Sequence, residues 1–287
     1  MRRSILLAAV TCLTMFAPAA RAQIIAYEGF AYPIGGLNGQ NGGIGFAAGW
    51  TVVSGTVNVQ ANSLVPAAPS TALPETGNSL SVTPINDTIF GLANRTLSTP
   101  VIGTAGTSIW VSVVMKGAGI SGLSAQGALL VTNGSNNGFS ITTGATGSGI
   151  PPNNPAPNSN WSLGDAGTGA AEATTTVSDT LQSLLVARVS FSPAGNPAFD
   201  QIDLFVNPPL TGSPPATASA SLLVNHAATL STVGVEYASV SGATTSTLYD
   251  EIRIGHTFAD VTSVPEPSTF FLIGVAGLGG IAWRRRR

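Results

Sequence analysis

From Ile24 to Ile254 the chain repeats one pattern: short runs rich in β-branched residues, broken by Gly, Asn, Pro and Ser, with almost no helical spacing of apolar positions. Strands that carry one apolar face must bury it against another sheet, so the pattern predicts an all-β fold, an antiparallel two-sheet β-sandwich. No repeat of fixed period is visible, which argues against a propeller or a solenoid.

The runs can be placed individually. Ile24 to Tyr27 reads as a first strand, followed by a Gly/Asn-rich loop from Gly35 to Gly49. Trp50 to Val53 and Thr56 to Val59 flank Ser54 and Gly55, which read as a two-residue hairpin turn. The stretch Gly144 to Asn160 has neither period nor core-forming residues and is expected to be a long surface loop. Ser183 to Phe191 alternates around Leu185, Ala187, Val189 and Phe191, and Gln201 to Val206 places Ile202, Leu204 and Val206 on one face. In the closing run, Leu248, Ile252 and Ile254 are expected on one face and Arg253 on the other, with the strand pairing near Ile24 to Tyr27. Either Ile→Ala change there should cost about 2–5 kcal/mol, whereas Arg253→Ala should stay within about 0.5 kcal/mol unless the guanidinium is paired.

Both ends of the chain read as topogenic segments. Arg2 and Arg3 precede an apolar run from Ile5 to Ala17, and Ala20-Arg21-Ala22 is an A-x-A-like cleavage site, so residues 1–22 read as a signal peptide with Gln23 as the first mature residue. That assigns export to the Sec translocon and maturation to signal peptidase. The single cysteine, Cys12, lies inside this segment, which leaves the mature chain without a disulfide, a thiolate nucleophile or a thiolate metal ligand. At the other end, residues 264–287 join Pro265, Glu266, Pro267 and Ser268 to an uncharged run from Phe270 to Trp283 and to four arginines, Arg284, Arg285, Arg286 and Arg287. The prolines exclude a continuing helix or central strand. The apolar run would span roughly 21 Å as a helix, a short, glycine-weakened transmembrane segment at the inner membrane. Its arginines set the topology by staying in the cytoplasm.

Between these ends, residues 23–263 form one ectodomain with four basic residues against twelve acidic ones, a balance of −8 that the whole-chain value of −2 conceals. Such a chain offers no footprint for nucleic acid. Hydroxyls and amides must carry its solubility, a composition suited to a polysaccharide partner.

Candidate chemistry is sparse. His226 and His256 lack metal-ligand spacing, and no nucleophile-elbow, zincin, phosphate-loop or EF-hand pattern occurs. A glycosidase needs two facing carboxylates. Asp200 and Asp203 stand three apart on a strand, and Asp250 and Glu251 are adjacent, so each pair diverges. No catalytic residue is assigned. Asp200 and Asp203 are the candidate calcium ligands, since calcium takes oxygen donors from loops and strand ends, and calcium is the one cofactor the chain suggests. Asp250 falls on an apolar face, where a carboxylate needs hydrogen-bond partners, and reads as a structural anchor. For sugar binding, Trp161 just after the Pro/Asn-rich loop is the candidate stacking platform, while Trp50 and Trp110 read as core.

The order Pro-Glu-Pro, apolar run, arginine cluster closely resembles the PEP-CTERM sorting signal of Gram-negative bacteria. The resemblance implies that an exosortase, a membrane-embedded cysteine protease-transpeptidase, recognises Pro265, Glu266 and Pro267, removes the tail and sends the protein to the cell surface. A second resemblance rests on Tyr27 to Trp50, Leu184 to Phe191, Phe199 to Pro208 and Leu248 to Thr262. These blocks are similar to those of sorted surface proteins with a laminin-G/concanavalin-like jelly roll. That implies a curved sandwich whose first and last strands pair, a scaffold used by lectins, adhesion modules and some glycosidases. The reading is therefore a non-enzymatic surface or exopolysaccharide-matrix protein, structural or carbohydrate-binding, with a carbohydrate-active enzyme, a glycosidase or lyase, as the rival on the same scaffold.

Overall fold

A computed structural model describes residues 24–263, apart from 71–72, 74–76, 84–90, 118–124, 135–136, 144–159, 167–171, 193–198, 225–228 and 240–245. The signal peptide, the tail with its apolar run and arginines, His226 and residues 144–159 of the expected long loop lie outside the described residues.

Among the described residues sixteen strands form two antiparallel sheets, as the alternation requires. In the nine-stranded sheet the order is β14 (Ala220–Val224), β13 (Asp200–Val206), β12 (Ser183–Ser190), β7 (Ser108–Lys116), β16 (Thr247–Gly255), β5 (Ser79–Thr83), β4 (Thr56–Gln60) and β2 (Gly35–Gly36), with β1 (Ile24–Glu28) also paired to β16. In the seven-stranded sheet it is β11 (Glu172–Ser178), β10 (Asn160–Asp165), β9 (Gly138–Thr143), β8 (Ala125–Thr132), β15 (Thr229–Ser239), β6 (Gly91–Ile102) and β3 (Thr51–Ser54). This is an antiparallel two-sheet β-sandwich.

The expected junction of first and last strands is present. The second half of β16 pairs with β1, Glu28 opposite Ile252 and Ala26 opposite Ile254, while Thr247–Tyr249 of the same strand pairs with β5. Its other edge runs along β7, so β16 is central. The alternating residues of β12 and β13 join the inter-sheet core as expected, with Leu185, Ala187, Val189, Ile202 and Leu204 buried among Val111, Val113 and Met115 of β7.

A second, smaller core lies on the outer face of the nine-stranded sheet. Trp110, Val114, Leu184, Val186 and Phe205 are covered there by Leu64 and Leu73, and by Phe258 and Val261 of the short helix α1 (Phe258–Thr262). Burial on both faces explains why β7 reads SIWVSVVMK, nearly continuously apolar rather than alternating.

The Ser54-Gly55 turn is not a hairpin. β3 pairs with β6 in one sheet and β4 with β5 in the other, so the two residues carry the chain from sheet to sheet. Gly55 has φ 76°, and a Cβ there would run into the backbone of Gly91, so the corner requires glycine.

The opening block from Tyr27 to Trp50 is organised by one buried carboxylate. Glu28 accepts hydrogen bonds from Phe30 N at 2.9 Å, Tyr32 Oη at 2.6 Å, Trp50 Nε1 at 3.0 Å and Arg95 Nη1 at 2.5 Å. Arg95 also donates to Ala48 O and Asn41 Oδ1, each at 2.6 Å, and lies over the Phe46 ring. The Gly/Asn-rich segment is therefore a strapped loop. At Gly45, φ 82°, the strap passes so close to Ile25 that a side chain has no room.

Candidate functional site

The end of the described chain is built outward from β16. After Gly255 the chain turns through a capping box in which Thr257 Oγ1 accepts from Asp260 N at 3.2 Å while Asp260 Oδ2 accepts from Thr257 N at 2.8 Å and His256 N at 2.9 Å. The single helical turn that follows is held by packing. Phe258 meets the Trp110 ring edge-on at 5.3 Å, and Ser112 Oγ donates to Val261 O at 2.9 Å. Arg253 Nη1 then donates to the carbonyl of Ser263 at 2.9 Å. The residue from which the tail departs is thus tied to the central strand of the sheet.

The closing strand reaches this arrangement through a bulge. Between Asp250 and Arg253 the register to β7 shifts, Asp250 opposite Val114 and Arg253 opposite Ser112, so β16 carries one extra residue. Glu251, at φ 50°, takes up the difference. The bulge reverses the phase: Ile252 and Ile254 face the inter-sheet core as expected, but Leu248 packs in the outer core, on the face opposite to them. Arg253 does point away from the isoleucines, yet it is only 1% exposed. It binds Glu251 Oε2 at 2.7 Å and lies over the Tyr27 ring, whose hydroxyl donates to Glu251 at 3.2 Å. The guanidinium is therefore the paired case, to which the expected tolerance of alanine does not extend.

Asp250 has the anchoring partners that its position demanded. It accepts from Ser63 Oγ, from Leu64 N at 2.8 Å and from Glu251 N at 2.8 Å, pinning the segment after β4 to the sheet. Burial pushes its carboxyl up to about 8, against the bonds from Ser63 and Leu64 and with the help of the Glu251 charge.

Asp200 and Asp203 do not converge. Asp200 shares the inner face with Ile202 and Leu204 and accepts from Ser192 N at 3.0 Å. Asp203 lies on the outer face, where its oxygens accept from Arg188 Nη2 at 2.5 Å, Gln201 Nε2 at 2.8 Å and Ser221 Oγ at 2.7 Å. The two carboxylates thus lie on opposite faces of the strand, and both oxygens of Asp203 accept hydrogen bonds. Among the described residues no group of three or more His, Cys, Asp or Glu side chains is placed to hold a metal.

Trp161 is not a platform for a sugar. It is 0% exposed, inside the inter-sheet core beside Leu163, because Asn160–Asp165 is a strand paired with β9, Trp161 opposite Thr143, rather than the end of a loop. The alternation of Trp161, Leu163 and Asp165 was the signal for it. Glu28 and Arg95 were also missed. With only four basic residues in the ectodomain, an arginine inside the run Gly91 to Ile102 had to be either exposed or matched to a buried carboxylate.

A protein-family model, the PEP-CTERM protein-sorting motif, matches residues 263–287, beginning at the residue whose carbonyl Arg253 holds. The chain carries a PEP-CTERM sorting signal. This signal implies an exported protein with a membrane-anchored precursor and an exosortase as processing partner. No helix among the described residues is long and apolar enough to cross a membrane, and the apolar run of the signal lies outside them. No curated protein matches the chain by sequence.

Solved structures with similar folds include the globular domain of T. cruzi calreticulin, at 13% identity and TM-score 0.46, covering 92% of this chain and 100% of that one. The binding domain of botulinum neurotoxin serotype D is similar at 12% identity and TM-score 0.45, over 86% of this chain and 52% of that one. A GH131 β-glucanase catalytic domain from Podospora anserina is similar at 8% identity and TM-score 0.44, over 85% and 96%. At such identities no residue role passes from them to this chain.

Proposed function

We propose that this is a non-catalytic surface or matrix protein, released by an exosortase from its inner-membrane precursor and retained outside the cell by association with polysaccharide. The observation that carries the reading is the sorting signal placed directly after the docked turn at Ser263, so that a folded sandwich ends where the processing segment begins. The ectodomain supports it, with one lysine and three arginines in some 240 residues and an exterior that relies on hydroxyls and amides. Pro265, Glu266 and Pro267 are the recognition residues in this reading, and Arg284 to Arg287 hold the tail in the cytoplasm until it is cut.

Replacing Pro265, Glu266 and Pro267 together by alanine should trap a tailed precursor in the inner membrane. Mass spectrometry of membrane and surface fractions checks this, and a tail-less surface product like that of the wild type would refute the sorting role.

A further inference from the structure

A pocket of about 470 Å³ opens on the outer face of the nine-stranded sheet, beside the Asp250 anchor. Its floor is the outward side of three adjacent strands, with Gln60 from β4, Ser81 from β5 and Leu248 from β16. One wall is the segment after β4, with Asn62 and Ser63, and another is Gln182 from the turn before β12. The volume lies within the roughly 300–1,000 Å³ typical of small-molecule sites.

The chemistry of the lining is narrow. Every side chain in it is either an uncharged hydrogen-bonding group or apolar. An anionic ligand would find no cation there, and a purely apolar one would strip water from amides and hydroxyls without replacing it. A neutral polyhydroxylated ring matches both parts, its hydroxyls toward the amides and its C–H face toward Leu248. The walls are also held in place. Ser63 and the backbone of Leu64 are fixed by Asp250, and the side-chain oxygen of Gln182 accepts from Val65 N at 3.0 Å, which turns its amide nitrogen away from that bond.

We infer that this pocket binds a neutral pyranose unit of a glycan. The inference rests on the polysaccharide-associated reading and gives it a location.

The test is calorimetric titration of the full chain, purified in detergent, with cellohexaose, dextran and the neutral exopolysaccharide fraction of the producing strain, and with polygalacturonate as the anionic comparison. Gln182→Glu keeps the acceptor for Val65 N while replacing the amide donor by a charged acceptor oxygen, so it should weaken the binding of a neutral glycan at least tenfold with an unchanged melting temperature. Gln60→Ala, at the end of a strand, should weaken it severalfold and decides the matter if Gln182→Glu alters the melt. Binding by the wild type that neither variant changes would place the glycan site elsewhere, overturning the pocket but leaving the polysaccharide reading standing. Tighter binding to polygalacturonate than to any neutral probe would overturn the pocket alone, and no binding to any of the four probes would overturn the pocket and the polysaccharide reading together, while the sorting role is decided separately by the tail substitution.

Discussion

Two buried Glu–Arg pairs lie back to back on the strands that close the sandwich, and they hold different things. Glu28 of β1 stands opposite Ile252 of β16 and faces inward, where it meets Arg95 of β6. Because β1 and β6 belong to different sheets, that pair ties the two layers together. Glu251 and Arg253 face outward, two residues apart on one strand, and tie the bulge of β16 to Tyr27 and to Ser263. The first pair gathers Phe30, Tyr32, Trp50, Asn41 and Ala48 around it, the second Tyr27 and the end of the described chain. The comparison teaches that a buried charge contributes according to what its remaining hydrogen bonds join, since the ion pair itself can be nearly neutral against an apolar replacement.

The largest effect should come from the inward pair. Arg95→Ala leaves Glu28 without its counter-charge inside the sandwich and frees Asn41 and Ala48 of the strapped loop. A loss of about 3–5 kcal/mol is expected, measured by urea unfolding, with the whole domain affected. A loss below about 1 kcal/mol would show that the inward pair is not what joins the sheets.

Arg253→Ala should cost less, about 1.5–3 kcal/mol, the range for hydrogen bonds to charged groups. Glu251 would keep the bond from Tyr27 and the core residues Ile252 and Ile254 would stay in place. The loss should be local, so limited proteolysis near Ser263 should speed up before the global melt moves far. If Arg253→Ala destabilises more than Arg95→Ala, the ranking of the two pairs is reversed.

What could be read in advance follows from where the information sits. The sandwich, the meeting of first and last strands and the inward faces of β12 and β13 are consequences of local alternation, which a sequence displays. The phase error at Leu248 has another origin: the bulge is set by a glutamate at positive φ, and nothing in LYDEIRI marks the extra residue. Ser54 and Gly55 carry a turn signal that says the chain bends and not which strand it joins. Asp203 looked like a metal ligand because its partner, Arg188, is opposite it only once β12 and β13 are paired. Trp161 was misplaced by its neighbours, an irregular segment on one side outweighing the strand on the other.

A pH-dependent effect separates two buried carboxylates on the same outer face. Burial raises Asp203, but Ser221, Arg188 and Gln201 outweigh it and hold the group below its ordinary value, whereas Asp250, with no cation, is pushed up to about 8. The two should act on stability with opposite signs. Asp203 adds stability above the unfolded value of 3.8, and this is lost as pH falls through its folded value. Asp250 keeps a proton in the folded state that the unfolded chain has released between 3.8 and about 8, so stability should fall as pH rises through that window and level off above it. The slope is at most about 1.4 kcal/mol per pH unit for one proton. Glu236, raised to about 7 by burial, adds to the same trend from 4.5 upward. Asp250→Asn cannot titrate and keeps an acceptor for Ser63 and Leu64, so urea melts at pH 5 and pH 8 should differ less in the variant than in the wild type, with Glu236 supplying the remainder. Equal differences in the two proteins would mean that Asp250 is ionised in the folded state and that the donors around it, not its proton, set its charge.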